Sequence, residues 1–110
     1  MATFVKGDVV VVNFPFSDLT SAKKRPALVV AELSKNDVIP CQITSQFTSD
    51  SSATLIEDND FLNGSLNKIS YVKSNRVFTA NEKIIAYKIG SLNPERTNEV
   101  IAKLISILQK

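Results

Sequence analysis

Short runs of apolar and β-branched residues, separated by polar turns, make up most of the chain. The first run, GDVVVVNF at residues 7–14, opens with a Gly-Asp turn signal, and its four consecutive valines predict a strand buried on both faces. By the same criteria we predict further strands at residues 26–33, 38–47, 53–58, 68–75, 76–79 and 84–89. Proline is tolerated at the first residue or the edge of a strand, which fits Pro26 at the start of the second run.

Polar segments connect these runs. Residues 14–25 are rich in proline, serine, threonine and aspartate, so we predict a long loop, which in a compact domain is typical of a functional segment. Shorter turns are predicted at residues 34–37, 48–52 and 59–67. The acidic stretch EDND at residues 57–60 indicates a solvent-exposed turn rather than a metal site, because nothing around it supplies an ordered set of oxygen ligands.

The C-terminal segment has a different periodicity. Asn93 is a favourable N-cap, Pro94 fits the first helical position, and Glu95 suits the positive end of the helix dipole. Apolar residues then recur at helical spacing and predict one packed face: Val100, Ile101, Leu104, Ile105 and Leu108. These short strands followed by one helix indicate a mainly β fold, a small barrel or curled sheet, in a single domain over residues 1–110.

Composition narrows the chemistry. The chain of 110 residues is 44% apolar and 22% charged, which is ordinary for a soluble globular domain. Its net charge of +2 is too small to indicate nucleic-acid binding unless the cations cluster, as they do at residues 23–25 and 73–76. The absence of histidine excludes Ser-His-Asp and Cys-His catalysis, two-histidine ribonuclease chemistry and histidine metal sites.

The single cysteine, Cys41, cannot form an intrachain disulfide. We interpret it as a small buried hydrophobe rather than a nucleophile, because no histidine can activate it. This cysteine usage fits a reducing cytoplasm. No signal-peptide pattern opens the chain, and no apolar run approaches the roughly 20 residues of a membrane span, so we expect a cytoplasmic protein with no membrane partner.

Several motifs follow one another in an order that is characteristic of one family. KGDVVVVNFPF is followed by KKRPALVV, and then come CQITSQ (41–46), LNKISYVKSNRVFTANEKII (66–85) and KIGSLNPE (88–95). In these motifs the sequence resembles the PemK/MazF family of toxin endoribonucleases over residues 6–108. The resemblance implies an SH3-like barrel with a C-terminal helix, usually a homodimer, that cleaves single-stranded RNA without a metal or other cofactor and blocks growth. It also implies an acidic antitoxin that covers the RNA groove, and DNA binding by the toxin–antitoxin complex.

The same resemblance, together with the chemistry of RNA cleavage, suggests the catalytic residues. A 2′-hydroxyl attacks the adjacent phosphate, and a guanidinium can meet the charge that gathers on the phosphoryl oxygens with two parallel hydrogen bonds. We therefore expect Arg25 to be catalytic, with a hydroxyl from the neighbouring strand. The family motif favours Thr44 over Ser45, and alternation along a strand predicts that only one of the two faces the groove. Asp18 is the candidate general base.

RNA contacts are predicted for Lys23, Lys24, Phe16, Arg76 and Ser45. The lysines would attract the backbone without reading sequence, and Phe16 could stack a base. Simpler interpretations stay open, since loop cations are commonly solvated surface and a phenylalanine can equally pack.

One position departs from the family pattern. Phe78 precedes Thr79 where the family carries arginine, and Arg76 lies on the same face only if the strand is regular. Arg76 could substitute for that arginine, or a substrate contact could be missing, which would affect the cleavage rate and the sequence preference but not the fold. Two alternatives to RNA cleavage also stay open: a toxin of the same fold that inhibits a protein target such as gyrase, or an RNA-binding module without cleavage.

Overall fold

A strongly bent β-sheet followed by one helix forms the protein. The structure is a computed structural model that describes residues 4–15 and 22–110, with the side chains of residues 14, 15, 22 and 23 left out. Within this range there are eight strands: β1 (Asp8–Pro15), β2 (Ala22–Glu32), β3 (Asp37–Thr44), β4 (Ala53–Ile56), β5 (Phe61–Asn63), β6 (Ser70–Val77), β7 (Ala80–Asn81) and β8 (Ile85–Leu92). The helix α1 (Pro94–Leu108) ends the chain. The predicted mainly β class with a C-terminal helix is confirmed.

The strands form one sheet in the order β4-β6-β3-β2-β1-β8-β5, with β7 paired to β3, and every pairing is antiparallel. Strands β1 to β3 are consecutive neighbours, whereas the last strand, β8, returns to pair with β1. The centre of the sheet is therefore β2, flanked by β1 and β3, and the fold's most buried strands lie there.

Alternation along the central strands builds two hydrophobic cores, one on each face of the sheet. Val9 belongs to the first core, which includes Leu28, Ile43 and Val100 of α1, whereas its neighbour Val10 belongs to the second core, on the other face. All four valines of β1 are buried, with Val11 the most exposed at 6%. The predicted burial of β1 on both faces is confirmed. Successive side chains of a strand point to opposite faces of the sheet, and here both faces are covered by a core.

The first two strands extend into the loop predicted at residues 14–25, so that prediction assigned too many residues to the loop. Strand β1 continues to Pro15 and β2 already begins at Ala22, which leaves residues 16–21 outside the described range. Pro26 consequently lies inside β2 instead of at its first residue. It pairs with Val11 of β1, and it is tolerated there because the pairing of β2 with β3 begins only at Ala27, so that β2 is an edge on that side at Pro26.

Strand β3 contains a second proline in its middle. Pro40 pairs with Val29 of β2, and the register shifts by one residue directly beyond that pair, between Val29 and Ala31. A bulge of this kind is a common place for a proline, which has no N–H for the ladder. Strand β3 ends at Thr44, three residues earlier than predicted from 38–47.

The predicted start of α1 is confirmed. The side chain of Asn93 accepts a hydrogen bond of 2.8 Å from the backbone N–H of Arg96, and Pro94 occupies the first turn. The predicted packed face is only partly correct. Val100 is fully buried, and Ile101 and Leu104 pack against the first core, but Ile105 and Leu108 are 48% and 73% exposed. In the described part of the chain, no helix is long and apolar enough to cross a membrane.

Residues 57–60 do more than form a solvated turn, which corrects the sequence prediction. They make a 3₁₀ turn in which Asp60 is buried and accepts a 2.8 Å hydrogen bond from the backbone N–H of Glu57. The same carboxylate pairs with Nε of Arg96 at 3.1 Å, and so joins this turn to the first turn of α1. Further along the helix, the hydroxyl of Ser74 donates to the carbonyl of Val100 at 3.0 Å.

Strand β5 was missed, because its residues fall in the predicted turn at 59–67 and only three of them pair. Its approach to β8 needs two glycines. A Cβ at Gly90 would collide with the carbonyl oxygen of Asn63, and one at Gly64, whose φ is +74°, would collide with that of Ile89. The glycine of the KIGSLNPE motif therefore allows β5 and β8 to lie in close contact.

Candidate active site

Arg25 and Thr44 lie on the same face of the sheet, on the neighbouring strands β2 and β3. Ala27 pairs with Gln42, and extending that antiparallel register by two residues on each strand brings Arg25 opposite Thr44. Arg25 has the same parity along β2 as Ala27 and Val29, which pack in the second core. The two side chains therefore project from the sheet face opposite α1, at the end of the β2–β3 ladder.

Around this pair the surface forms an open cleft of about 470 Å³. It is lined by the ends of β2, β3 and β6 and by the segment leading into β6: Lys24, Arg25, Pro26, Ile43, Thr44, Ser45, Gln46, Leu66, Lys68 and Ser70. Arg25 and Thr44 are half-buried, whereas Lys24, Ser45 and Lys68 are exposed. The rigid strand ends thus hold the two predicted catalytic side chains, and the exposed groups surround them.

A short turn after β3 places both candidate hydroxyls at the cleft. Thr44 is the last residue of its strand, and its Oγ1 accepts a 3.1 Å hydrogen bond from the backbone N–H of Gln46. Alternation therefore stops at Thr44, and Ser45 also lines the cleft. The prediction that only one of them could do so was wrong. A hydroxyl that accepts through a lone pair keeps its O–H as a donor, so Thr44 can still donate to a phosphate oxygen.

Electrostatically, the cleft favours an anion. Its charged lining residues are Lys24, Arg25 and Lys68, and among the described residues that line it there is no aspartate or glutamate. Three cations on a concave surface attract a polyanionic backbone and lower its cost of desolvation. The geometry can therefore bind a phosphodiester and place its oxygens between a guanidinium and a hydroxyl.

Comparison with known proteins identifies the family. Residues 5–108 match the family of PemK-like, MazF-like toxins of type II toxin-antitoxin systems. The chain belongs to this toxin family. No curated protein matched the sequence.

Solved toxin structures share the fold. A mycobacterial endoribonuclease in complex with its cognate antitoxin superposes with a TM-score of 0.78 at 16% identity, covering 97% of this chain and 96% of that one. The MazE-MazF structure (Form-III) from Deinococcus radiodurans gives 0.79 at 18% identity and 96% of each chain. The Mycobacterium tuberculosis toxin MazF-mt6 gives 0.71 at 14% identity, with 93% and 96% covered. At these identities the likeness establishes the fold and leaves the site to be argued from this toxin's own residues.

Three predicted site residues of the toxin cannot be placed. Phe16 and Asp18 lie outside the described residues, and for Lys23 the structure describes only the backbone, which pairs with that of Phe14. Their predicted roles stay predictions.

Arg76 is described, but it does not line the cleft. It is six residues from Ser70 along β6, a distance of up to about 20 Å. The strand is not regular at this point, so the condition under which Arg76 would share the face of Phe78 is not met. Ile43 pairs with Val72 and Cys41 with Val77, so residues 73–76 form a large bulge opposite β3. The cations at 73–76 therefore do not join those at 24–25 in one cleft.

Cys41 behaves as the sequence analysis expects. The residue is fully buried in the first core, and burial raises the pKa of its thiol to about 12. At neutral pH the thiolate is negligible, so this side chain is not a nucleophile. In the part of the chain that the structure describes, no group of three or more cysteine, aspartate or glutamate residues could hold a metal ion.

Sequence reasoning missed Lys68 and Gln46 as residues of the cleft. Lys68 lies in the LNKISYVKSN motif, between Leu66 and Ser70, which also line the cleft. Its position inside a family motif was a usable signal, but its place beside Arg25 depends on the β3–β6 pairing. That pairing joins residues far apart in sequence, and nothing in the local pattern of Lys68 predicts it.

Proposed function

We propose that this toxin is an endoribonuclease that cleaves single-stranded RNA, including messenger RNA, and so inhibits growth. One observation carries the proposal: Arg25 and Thr44, at the ends of the neighbouring strands β2 and β3, both line one cleft whose described charged residues are all cations. The names of the mycobacterial relatives, which are called endoribonucleases, agree with it.

In the proposed reaction, the 2′-oxygen of a ribose forms a bond to the adjacent phosphorus while the bond from phosphorus to the 5′-oxygen of the next nucleotide breaks. Negative charge increases on the two non-bridging oxygens in the transition state. The guanidinium of Arg25 stabilises this charge with two parallel hydrogen bonds, which a lysine cannot make in the same geometry. Because protein cations supply this stabilisation, the proposed reaction requires no metal or other cofactor.

The remaining residues of the cleft position the substrate. The hydroxyl of Thr44 donates to a phosphate oxygen, with Ser45 next to it, while Lys24 and Lys68 attract the phosphates on either side. Lys23, Phe16 and Arg76 are proposed as contacts with RNA beyond the cleft. The 2′-hydroxyl gives up a proton, and Asp18 is proposed as its acceptor, because the described lining offers no carboxylate. The leaving 5′-oxygen takes a proton from solvent water, so that no net proton is gained or lost.

We also propose that residues 1–110 act as one cytoplasmic domain, that the toxin is a homodimer, and that an acidic antitoxin silences it. The relatives from a mycobacterium and from Deinococcus radiodurans were solved with an antitoxin and with MazE, respectively, which supports an antitoxin partner. A cationic cleft is a suitable target for an acidic segment that folds on binding.

Incubation of the purified toxin with single-stranded RNA in EDTA tests the proposal. Discrete cleavage products that depend on Arg25 would support it. Binding without cleavage would instead indicate an RNA-binding module, and the absence of both would favour a toxin that inhibits a protein target.

A further inference from the structure

An exposed aromatic corner, formed by Phe47 and Tyr71, adjoins the candidate active site. Phe47 follows Gln46 of the cleft directly, and 80% of its surface is exposed. Its ring meets that of Tyr71 edge to face, with 6.0 Å between ring centroids and 88° between ring planes. The contact favours one orientation of the Phe47 ring while leaving most of its surface open to solvent.

The corner is in register with the reacting groups. Tyr71 of β6 pairs directly with Thr44 of β3, so their side chains share one sheet face and lie one strand spacing apart, about 4.8 Å. Extending the β2–β3 register gives a row across the sheet in which a guanidinium (Arg25), a hydroxyl (Thr44) and an aromatic ring (Tyr71) follow one another. Leu55 of β4, which pairs with Tyr71, continues the row and is 44% exposed.

The chemistry of this neighbourhood favours a nucleobase as the occupant. A base attached to a phosphate at Arg25 and Thr44 must lie within one nucleotide of that phosphate. Phe47 is three residues from Thr44, at most about 10 Å along the chain. Lys24 and Lys68 at the cleft attract the backbone of the same strand. An exposed aromatic surface next to a cationic cleft is the combination with which proteins bind single-stranded nucleic acids.

We propose that Phe47, held by Tyr71, forms a stacking subsite for the nucleobase next to the scissile phosphate. The subsite holds the base by its π face and thereby positions the ribose and phosphate at Arg25 and Thr44. This inference rests on the proposed RNA cleavage. It assigns Phe47 a positioning role and leaves the reacting groups unchanged.

Three substitutions at Phe47 separate stacking from simple apolar contact. Phe47→Ala removes the ring, Phe47→Leu keeps apolar surface without a π face, and Phe47→Tyr retains the face. Leu62→Ala is the matched control, because Leu62 is 66% exposed and lies on β5, at the other edge of the sheet from β4. Phe47 is exposed, so all variants should keep the thermal unfolding of the wild type.

The probe is a short single-stranded RNA around a mapped cleavage position, with the reacting 2′-hydroxyl replaced by hydrogen so that it binds without being cut. We expect Phe47→Ala and Phe47→Leu to weaken binding by about 5- to 150-fold, and Phe47→Tyr and Leu62→Ala to bind as the wild type does. An abasic residue is then placed at each position in turn. At one position beside the scissile phosphate, the abasic probe should bind the wild type as weakly as the intact probe binds Phe47→Ala, with no further loss when the two changes are combined.

Wild-type binding by Phe47→Ala, or additive losses at every abasic position, would overturn the subsite. Unchanged RNA binding together with weaker antitoxin binding would also overturn it and assign Phe47 to a protein contact. If the wild type does not cleave any RNA, the proposed function fails. The subsite can still be tested then by binding of an unmodified RNA, its abasic derivatives and the Phe47 variants.

Discussion

The sharpest test of the proposed function is the removal of the Arg25 guanidinium. Arg25→Ala leaves the cleft with Lys24 and Lys68 but without the planar guanidinium group that lines it together with Thr44. Loss of one well-placed donor to a developing oxyanion typically costs about 3 kcal/mol in transition-state stabilisation, which is about a hundredfold in rate. Arg25→Lys should recover little of this, since the paired geometry is lost.

Two lysine variants, Lys24→Ala and Lys83→Ala, provide the comparison for the loss of cleavage rate in Arg25→Ala. Lys24 lies one residue away at the same cleft but is exposed, so its interaction with phosphate is screened by solvent. We expect Lys24→Ala to slow cleavage by about fivefold or less. Lys83→Ala removes the same unit of charge from an exposed 3₁₀ turn outside the cleft and should cleave as the wild type does.

The assay follows initial cleavage rates on one single-stranded RNA in EDTA, at a fixed salt concentration, for all four variants and the wild type. Thermal unfolding is measured in parallel, because Arg25 is half-buried and its loss can also affect the fold. If Arg25→Ala folds normally and cleaves within a fewfold of the wild type, Arg25 does not stabilise the transition state and the mechanism is wrong.

Four further outcomes follow from the same structure. Combining Lys23→Ala with Lys24→Ala should weaken binding to unrelated RNAs equally, and the slope of log affinity against log salt should flatten by about 0.7 per lost phosphate contact; an unchanged slope would assign both lysines to solvated surface. Lys68→Ala should flatten the slope by a similar amount, in titrations like those for the double variant. Asp60→Ala should lower the free energy of unfolding by about 1–2 kcal/mol in urea titrations, because a buried cap is lost; wild-type stability would show that the turn holds without it. Finally, light scattering across a dilution series should show a dimer, and an acidic antitoxin peptide should inhibit less as salt rises; a cleaving monomer or salt-independent inhibition would contradict these expectations.

The candidate site was predictable to the extent that its residues lie in recognisable local motifs. Arg25 and Thr44 follow from the family motifs and from the chemistry of a phosphodiester, and the structure places them at one cleft. Lys68 was not predicted, because it reaches the cleft through the pairing of β3 with β6. Phe47 is close to Thr44 in sequence, but its contact with Tyr71 depends on the same strand pairing. The position of Arg76 outside the cleft has the same origin, since the bulge over residues 73–76 appears only when β6 pairs with β3 and β4.

The sequence by itself determined the elements whose information is local. Four adjacent valines predict a strand buried on both faces, and Asn93 with Pro94 fixes the beginning of α1, because burial periodicity and capping depend on residues a few positions apart. Only the tertiary structure decided which strands are neighbours, where Pro26 and Pro40 are tolerated, and which cations meet in one cleft. Each of these depends on long-range antiparallel register, and a shift of one residue in that register would turn Arg25, Thr44 or Tyr71 to the opposite face of the sheet.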